Sequence, residues 1–192
     1  MIDSERYWQE RYLAGGNSGE GSYGGLAKFK SEIINKFVED NNIKTVIEYG
    51  CGDGNQLQLG KYENYLGLDV SPECVKWCKN IFSGDGSKQF KLMSEYDNEF
   101  ADLTLSLDVI YHLIEEEIYE AYMNRLFSSA NQFVITYSSN RDIPNRGPHV
   151  KHRNFSSWVN KKIEGWELIQ NIPNKFADKT YAEFFIYQKE QS

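Results

Sequence analysis

The feature that most constrains this chain is the run Thr45-Val-Ile-Glu-Tyr-Gly-Cys-Gly-Asp-Gly54, where a short apolar strand reaches an acid and then turns through three glycines on alternate positions. Glycines adopt backbone conformations closed to other residues and let a ligand approach the main chain, so this order suits a strand that ends at a binding edge. Twenty-one residues beyond Glu48, the apolar run Tyr65-Leu-Gly-Leu-Asp-Val70 delivers Asp69 at the end of a neighbouring strand. A carboxylate there can accept hydrogen bonds from a ribose diol. The pair reads as a nucleoside site. Two rival glycine motifs fail by position. A dinucleotide-binding Gly-x-Gly-x-x-Gly needs glycine at 55 or 57, which are Asn55 and Leu57. A phosphate-binding loop ending at Gly60-Lys61 also meets Asn55, and has Tyr62 in place of Ser or Thr.

Around this core the pattern alternates helix and strand. Leu26, Phe29, Ile33, Ile34, Phe37 and Val38 repeat at helical spacing. A second helix opens with cap, N1 proline and acid at Ser71-Pro72-Glu73 and breaks at Gly84. Strands are expected at 90–93, 101–110 and 132–138, with helices at 115–127 and 155–163. The final strands, 166–172 and 181–188, are separated by too few residues for a helical crossover and should pair antiparallel. The expected fold is therefore α/β, a three-layer sandwich around a doubly wound, mostly parallel seven-stranded sheet that ends in an antiparallel hairpin.

Composition excludes several classes. With 40% hydrophobic and 15% aromatic residues in a chain of 192, a real core is available and general disorder is not expected. A net charge of −7 argues against an indiscriminate nucleic-acid binder. No apolar stretch approaches the roughly 20 residues of a membrane helix, and the first residues lack the form of a signal peptide, which predicts a cytoplasmic protein. Cys51, Cys74 and Cys78 form no Cys-x-x-Cys pair and read as packing residues. His149 and His152 lack a third partner, so no metal site is expected.

Glu48, Gly50, Gly52 and Gly54, followed by Asp69, resemble the first two motifs of the class I S-adenosylmethionine-dependent methyltransferases, and the likeness spans nearly the whole chain. It implies a cofactor site built from Trp8, Tyr12, Glu48, Gly50, Cys51, Gly52, Asp69, Val70, Glu95, Leu107 and Asp108, with the backbone near Leu107 and Asp108 facing the methionyl part of the cofactor. It places His112 just past the fourth strand, near the reacting methyl. A histidine there can act as general base for an acceptor hydroxyl, although a structural role at a helix start is the alternative. Between Gly15 and Gly25 lie six glycines, preceded by Trp8 and Tyr12. Residues 1–25 are expected to form an aromatic and glycine-rich lid on a methyltransferase domain of 26–192.

The acceptor is expected at the loop after the fifth strand. Residues 141–153 concentrate Arg141, Arg146, Lys151 and Arg153 with His149 and His152 in an otherwise acidic chain. Tyr111, Arg146, His149, His152 and Arg153 are the expected grip on an anionic small-molecule acceptor. The segments 18–22 and 149–153 also resemble small methyltransferases of bacterial surface-polysaccharide gene clusters, which implies O-methylation of a sugar or phosphate-bearing acceptor. A non-catalytic nucleoside-binding protein of the same fold, and N-methylation of a small metabolite, are the other readings.

Overall fold

The computed structural model describes residues 3–144 and 147–190. Seven strands form one sheet: β1 Thr45–Tyr49, β2 Asn64–Asp69, β3 Lys88–Leu92, β4 Ala101–Leu107, β5 Ala130–Ser138, β6 Trp166–Ile172 and β7 Glu183–Lys189, in the order β3-β2-β1-β4-β5-β7-β6. The first five strands pair parallel. The last two are antiparallel, and β7 lies between β5 and β6.

Five helices accompany the sheet: α1 Ser4–Leu13, α2 Gly24–Asp40, α3 Pro72–Ile81, α4 Glu116–Ser128 and α5 Phe155–Lys162. Each inner strand is apolar on both faces, as a sheet covered twice must be. Val46, Leu103, Leu105 and Phe184 pack with Phe29, Ile34 and Val38 of α2 and with Val75 of α3. Ile47, Val134, Phe185 and Tyr187 pack instead with Tyr119, Met123 and Leu126 of α4 and with Phe155 of α5. The α3 cap is as expected, with the Ser71 side chain accepting from Cys74 N and Pro72 in the first turn.

Three local expectations change. The fourth strand stops at Leu107, short of residue 110, because Asp108 adopts a left-handed φ of +61° and Ile110–His112 forms a 3₁₀ turn. Residues 4–13 are helical, capped by Asp3 accepting from Arg6 N. That helix was hidden because Tyr7, Trp8, Tyr12 and Leu13 are too few apolar positions to mark a stripe among its charges. The third strand covers 88–92, so Met93 falls in the 3₁₀ turn Met93–Glu95. Among the described residues, no helix is long and apolar enough to cross a membrane.

Candidate active site

A cavity of about 300 Å³ opens along the carboxyl ends of β1, β2 and β4 beneath α1. Parallel sheets bind ligands at this edge, where strand order reverses between β1 and β4. Its wall includes Trp8, Tyr12, Glu48, Gly50, Cys51, Gly52, Asp69, Val70, Leu107, Asp108 and His112. Beside His112, the expected base, these are the expected cofactor residues, brought together from four parts of the chain, with one exception. Glu95 is exposed and turns back to accept from Leu92 N at 2.9 Å, and Met93 of the same turn lines the cavity in its place.

Asp69 is 5% exposed, and its two oxygens accept from Gly52 N and Ser71 N, each at 2.9 Å. Burial pushes its carboxyl up to about 6, against the pull of those N–H groups. Glu48 is likewise buried and accepts from the Tyr65 hydroxyl at 2.6 Å. Burial carries its carboxyl to about 7, with the Tyr65 bond and the Lys30 charge opposing.

The glycine turn works differently from its sequence reading. Gly50 N and Cys51 N both donate to Leu68 O, Gly52 N to Asp69, and Gly54 N to Cys51 O, so these groups hold the turn together and are not offered to a ligand. Gly50, Gly52 and Gly54 have φ of +82°, +57° and +78°. A Cβ on Gly50 would lie 2.5 Å from Val109, and one on Gly52 would lie 2.3 Å from Ser18 Oγ. The neighbour that demands glycine at 52 is therefore the N-terminal segment.

That segment is pinned to the turn. Ser18 N donates to Asp53 Oδ2 at 2.8 Å, and Asp53 N donates back to Ser18 Oγ at 3.0 Å. Tyr12 OH meets Ser18 Oγ at 3.0 Å, and Tyr23 OH donates to Asp53 at 2.8 Å. The start of α1 is tied to the far side, where Ser4 N donates to Glu115 at 2.8 Å and Ile114 N donates to Ser4 Oγ at 3.0 Å. Trp8 and buried Tyr12 thereby form the roof.

At the other end of the cavity, His112 Nδ1 lies 2.9 Å from His149 O. A carbonyl only accepts, so Nδ1 carries the proton and Nε2 the lone pair. Burial holds this imidazole well below its ordinary value, down to about 4. The ring meets the edge of Trp8 at 4.9 Å and stacks on His149 at 5.7 Å, and His149 stacks in turn on Tyr7 at 4.5 Å.

Of the expected acceptor grip, Tyr111, His149 and His152 gather about His112, with the Tyr111 ring 4.6 Å from His112 and 6.0 Å from His152 and the His149 ring 5.7 Å from His112, whereas Arg153 is held apart. Arg153 donates to Leu113 O at 2.6 Å and to Glu116 at 3.1 Å, lies 4.4 Å over the Tyr119 ring, and does not line the cavity. The guanidinium expected to grip an acceptor is already held by the fold. His152 Nδ1 is 2.7 Å from Ser139 Oγ, and Tyr111 donates to Asp108 at 2.7 Å. Arg146 lies outside the described residues. Among the described residues no group of three or more His, Cys, Asp or Glu converges as a metal site.

Sequence reasoning missed Lys30, which is fully buried with Nζ 2.6 Å from Asp108 Oδ2. A signal existed: Lys30 stands four residues after Leu26 and four before Ile34, inside the apolar stripe of α2.

No family model matches the sequence, and no curated protein does. Solved structures do. The N-methyltransferase NodS from Bradyrhizobium japonicum WM9, in complex with S-adenosyl-L-homocysteine, superposes with a TM-score of 0.75 at 14% identity, covering 98% of this chain and 100% of its own. Magnesium protoporphyrin IX methyltransferase (ChlM) from Synechocystis PCC 6803, with bound S-adenosylmethionine, gives 0.67 at 16% identity and 99% coverage of both chains. The methyltransferase domain of bacterial CtHen1 gives 0.69 at 20% identity, covering 84% of this chain and 97% of that domain. The fold of this protein is that of the S-adenosylmethionine-dependent methyltransferases.

Proposed function

We propose that the protein transfers a methyl group from S-adenosylmethionine to an oxygen of a small acceptor. The observation that carries this reading is the roofed cavity that joins buried Asp69 to the ring of His112. The residues fit the cofactor. Asp69 keeps outward lone pairs for the ribose hydroxyls, while Val70, Met93 and Val109 offer an apolar slot for the base. Gln56 lines the same cavity with an Oε1 that has no donor among the described residues. When bound, the cofactor supplies a methyl group already activated on a sulfonium, so positioning contributes most of the rate. Residues 1–25 act as the lid, and the Trp8 and Tyr12 rings exclude water from the transfer.

His112, neutral across the physiological range, is the base: its Nε2 takes the proton of the attacking hydroxyl while Nδ1 stays bonded to His149 O. The likeness of residues 18–22 and 149–153 to polysaccharide-cluster methyltransferases supports a sugar acceptor. The three free cysteines fit a reducing, cytoplasmic setting. A second reading, transfer to nitrogen, is favoured by the low basicity of His112, because an amine attacks with its own lone pair; NodS is such an enzyme.

Calorimetry with S-adenosylhomocysteine tests the cofactor, and absence of binding refutes the reading. Labelled S-adenosylmethionine against paired hydroxyl and amine forms of phosphorylated and nucleotide-linked sugars then tests the acceptor. Binding with no methylated product across the panel would favour a non-catalytic protein.

A further inference from the structure

Three rings from three parts of the chain lie face to face where His112 closes the cavity. Tyr7 of α1 stacks on His149 at 4.5 Å with 9° between the planes, and His149 stacks on His112 at 5.7 Å and 10°. Trp8 meets the same imidazole edge-on, at 4.9 Å and 80°. Tyr7 and His149 are both half-buried, so core filling does not require their alignment. The loop that carries His149 is strapped to the turn of His112, where Lys151 N donates to Tyr111 O at 2.8 Å, and this brings His149 O to within 2.9 Å of His112 Nδ1. Among the described residues no protein group hydrogen-bonds the nitrogens of the His149 ring, so its plane is set by Tyr7 on one side and His112 on the other.

The outer ring of this stack belongs to the roof. Gly15 and Gly19, just beyond α1, hold left-handed φ of +81° and +83° where no neighbour would meet a Cβ, so glycine there serves the backbone as a hinge and not packing. Between its tied ends, α1 rests on the sheet edge through Gln9, whose amide donates to Val70 O at 3.0 Å. The charged and titratable groups around His112 are Asp108 and Tyr111 of its own turn, His149 of the loop and Arg11 of α1. Burial under Trp8 and the charge of Arg11 both lower the imidazole, and both leave with α1, so opening the roof raises it. Which nitrogen of a neutral imidazole holds the proton is decided by the bond the other makes. A His112 released from the His149 carbonyl has no fixed tautomer, and one that carries its proton on Nε2 cannot accept another there.

We propose that Tyr7 and His149 are positioning residues that make His112 a base only under the closed roof: α1 presses Tyr7 onto His149, and the stack locks His112 in the tautomer whose Nε2 takes the proton of the acceptor hydroxyl. The proposal rests on the reading of His112 as base given above, and adds its regulation. Proton removal then waits until α1 has enclosed the cavity, which orders the cofactor before the chemistry.

The test is nitrogen–proton correlation NMR of the imidazoles in labelled protein, free and with excess S-adenosylhomocysteine. The chain has three histidines, and the His112 signals are those lost in His112→Gln. Wild type should show His112 protonated on Nδ1 and titrating far below the ordinary value. Tyr7→Ala and His149→Ala should each give a mixture of tautomers that titrates closer to about 6.5. Tyr7→Phe and His149→Phe keep a ring in the stack, and the latter keeps the carbonyl, so both should restore the wild-type spectrum. A merely structural role would lower Tm in the alanine variants and leave the tautomer where it was. Should Tyr7→Ala fail to fold, the His149 pair carries the test. The proposal is overturned if His112 in the alanine variants matches wild type both free and with S-adenosylhomocysteine, if phenylalanine restores nothing, or if wild-type His112 carries its proton on Nε2. The comparison in free protein decides this even where S-adenosylhomocysteine does not bind, and that failure would overturn the methyltransferase reading instead.

Discussion

Replacing Arg153 with alanine should cost the protein stability and leave cofactor binding intact. The guanidinium, whose side chain is 10% exposed, donates to Leu113 O at 2.6 Å, reaches Glu116 at 3.1 Å and covers Tyr119 at 4.4 Å. It ties the loop before α5 to the turn that leads into α4. The bond to Leu113 is charge-assisted and contributes about 1.5–3 kcal/mol. The ring contact adds about 1–2 kcal/mol in so buried a setting. The Glu116 partner is 55% exposed, and that pair is screened to roughly 0.5 kcal/mol or less. Because one group makes all three contacts, the effects overlap, and a total of about 3 kcal/mol is expected. For a chain of this size each kcal/mol moves Tm by about 2–4 °C, so the variant should melt about 6–12 °C lower. Differential scanning calorimetry measures the shift, and titration with S-adenosylhomocysteine checks that affinity stays within about twofold. A Tm within about 2 °C of wild type, together with a raised KM for an anionic acceptor, would refute this assignment and return Arg153 to the acceptor.

Three further outcomes are expected. Ribose hydroxyls should bind ionised Asp69, whose carboxyl lies at about 6, so affinity for S-adenosylhomocysteine should be full above that value and fall as pH drops through it; a wild-type pH profile superimposable on that of Asp69→Asn would refute this. Gly52→Ala should push Ser18 off the turn and leave residues 1–25 open to limited proteolysis, with weaker binding of S-adenosylhomocysteine; unchanged cleavage and affinity would remove the lid's dependence on Gly52. Glu48 rises from 4.5 to about 7 on folding, so the stability it contributes while protonated is complete in acid and is lost as pH rises through 7. Relative to wild type, Glu48→Gln should therefore gain about 3 kcal/mol between acid and mildly alkaline pH in urea unfolding, and parallel pH curves for the two proteins would refute it.

Some of this molecule is written locally. The turn at Gly50, Gly52 and Gly54 needs positive φ, a demand met within the turn itself, and Asp69 is recognisable as the acid that closes the next apolar run. Ser71-Pro72-Glu73 states the start of α3, and the short link before β7 states an antiparallel pair, since no crossover fits. These features depend on dihedral preferences and on which face of a short segment is apolar, and both are properties of a few consecutive residues. Other features came only with the tertiary structure. The hairpin could have attached to the sheet through either strand, and it is β7, buried along most of its length, that pairs with β5, leaving the largely exposed β6 at the edge. Ser18 meets Asp53 across 35 residues, and Lys30 meets Asp108 across 78. Arg153 reads in the sequence as a free cation of a basic loop, and becomes a clasp only because Leu113, Glu116 and Tyr119 fold beneath it. A charge's role depends on the partner that desolvates with it, and when that partner is dozens of residues away, chain topology decides which one it meets.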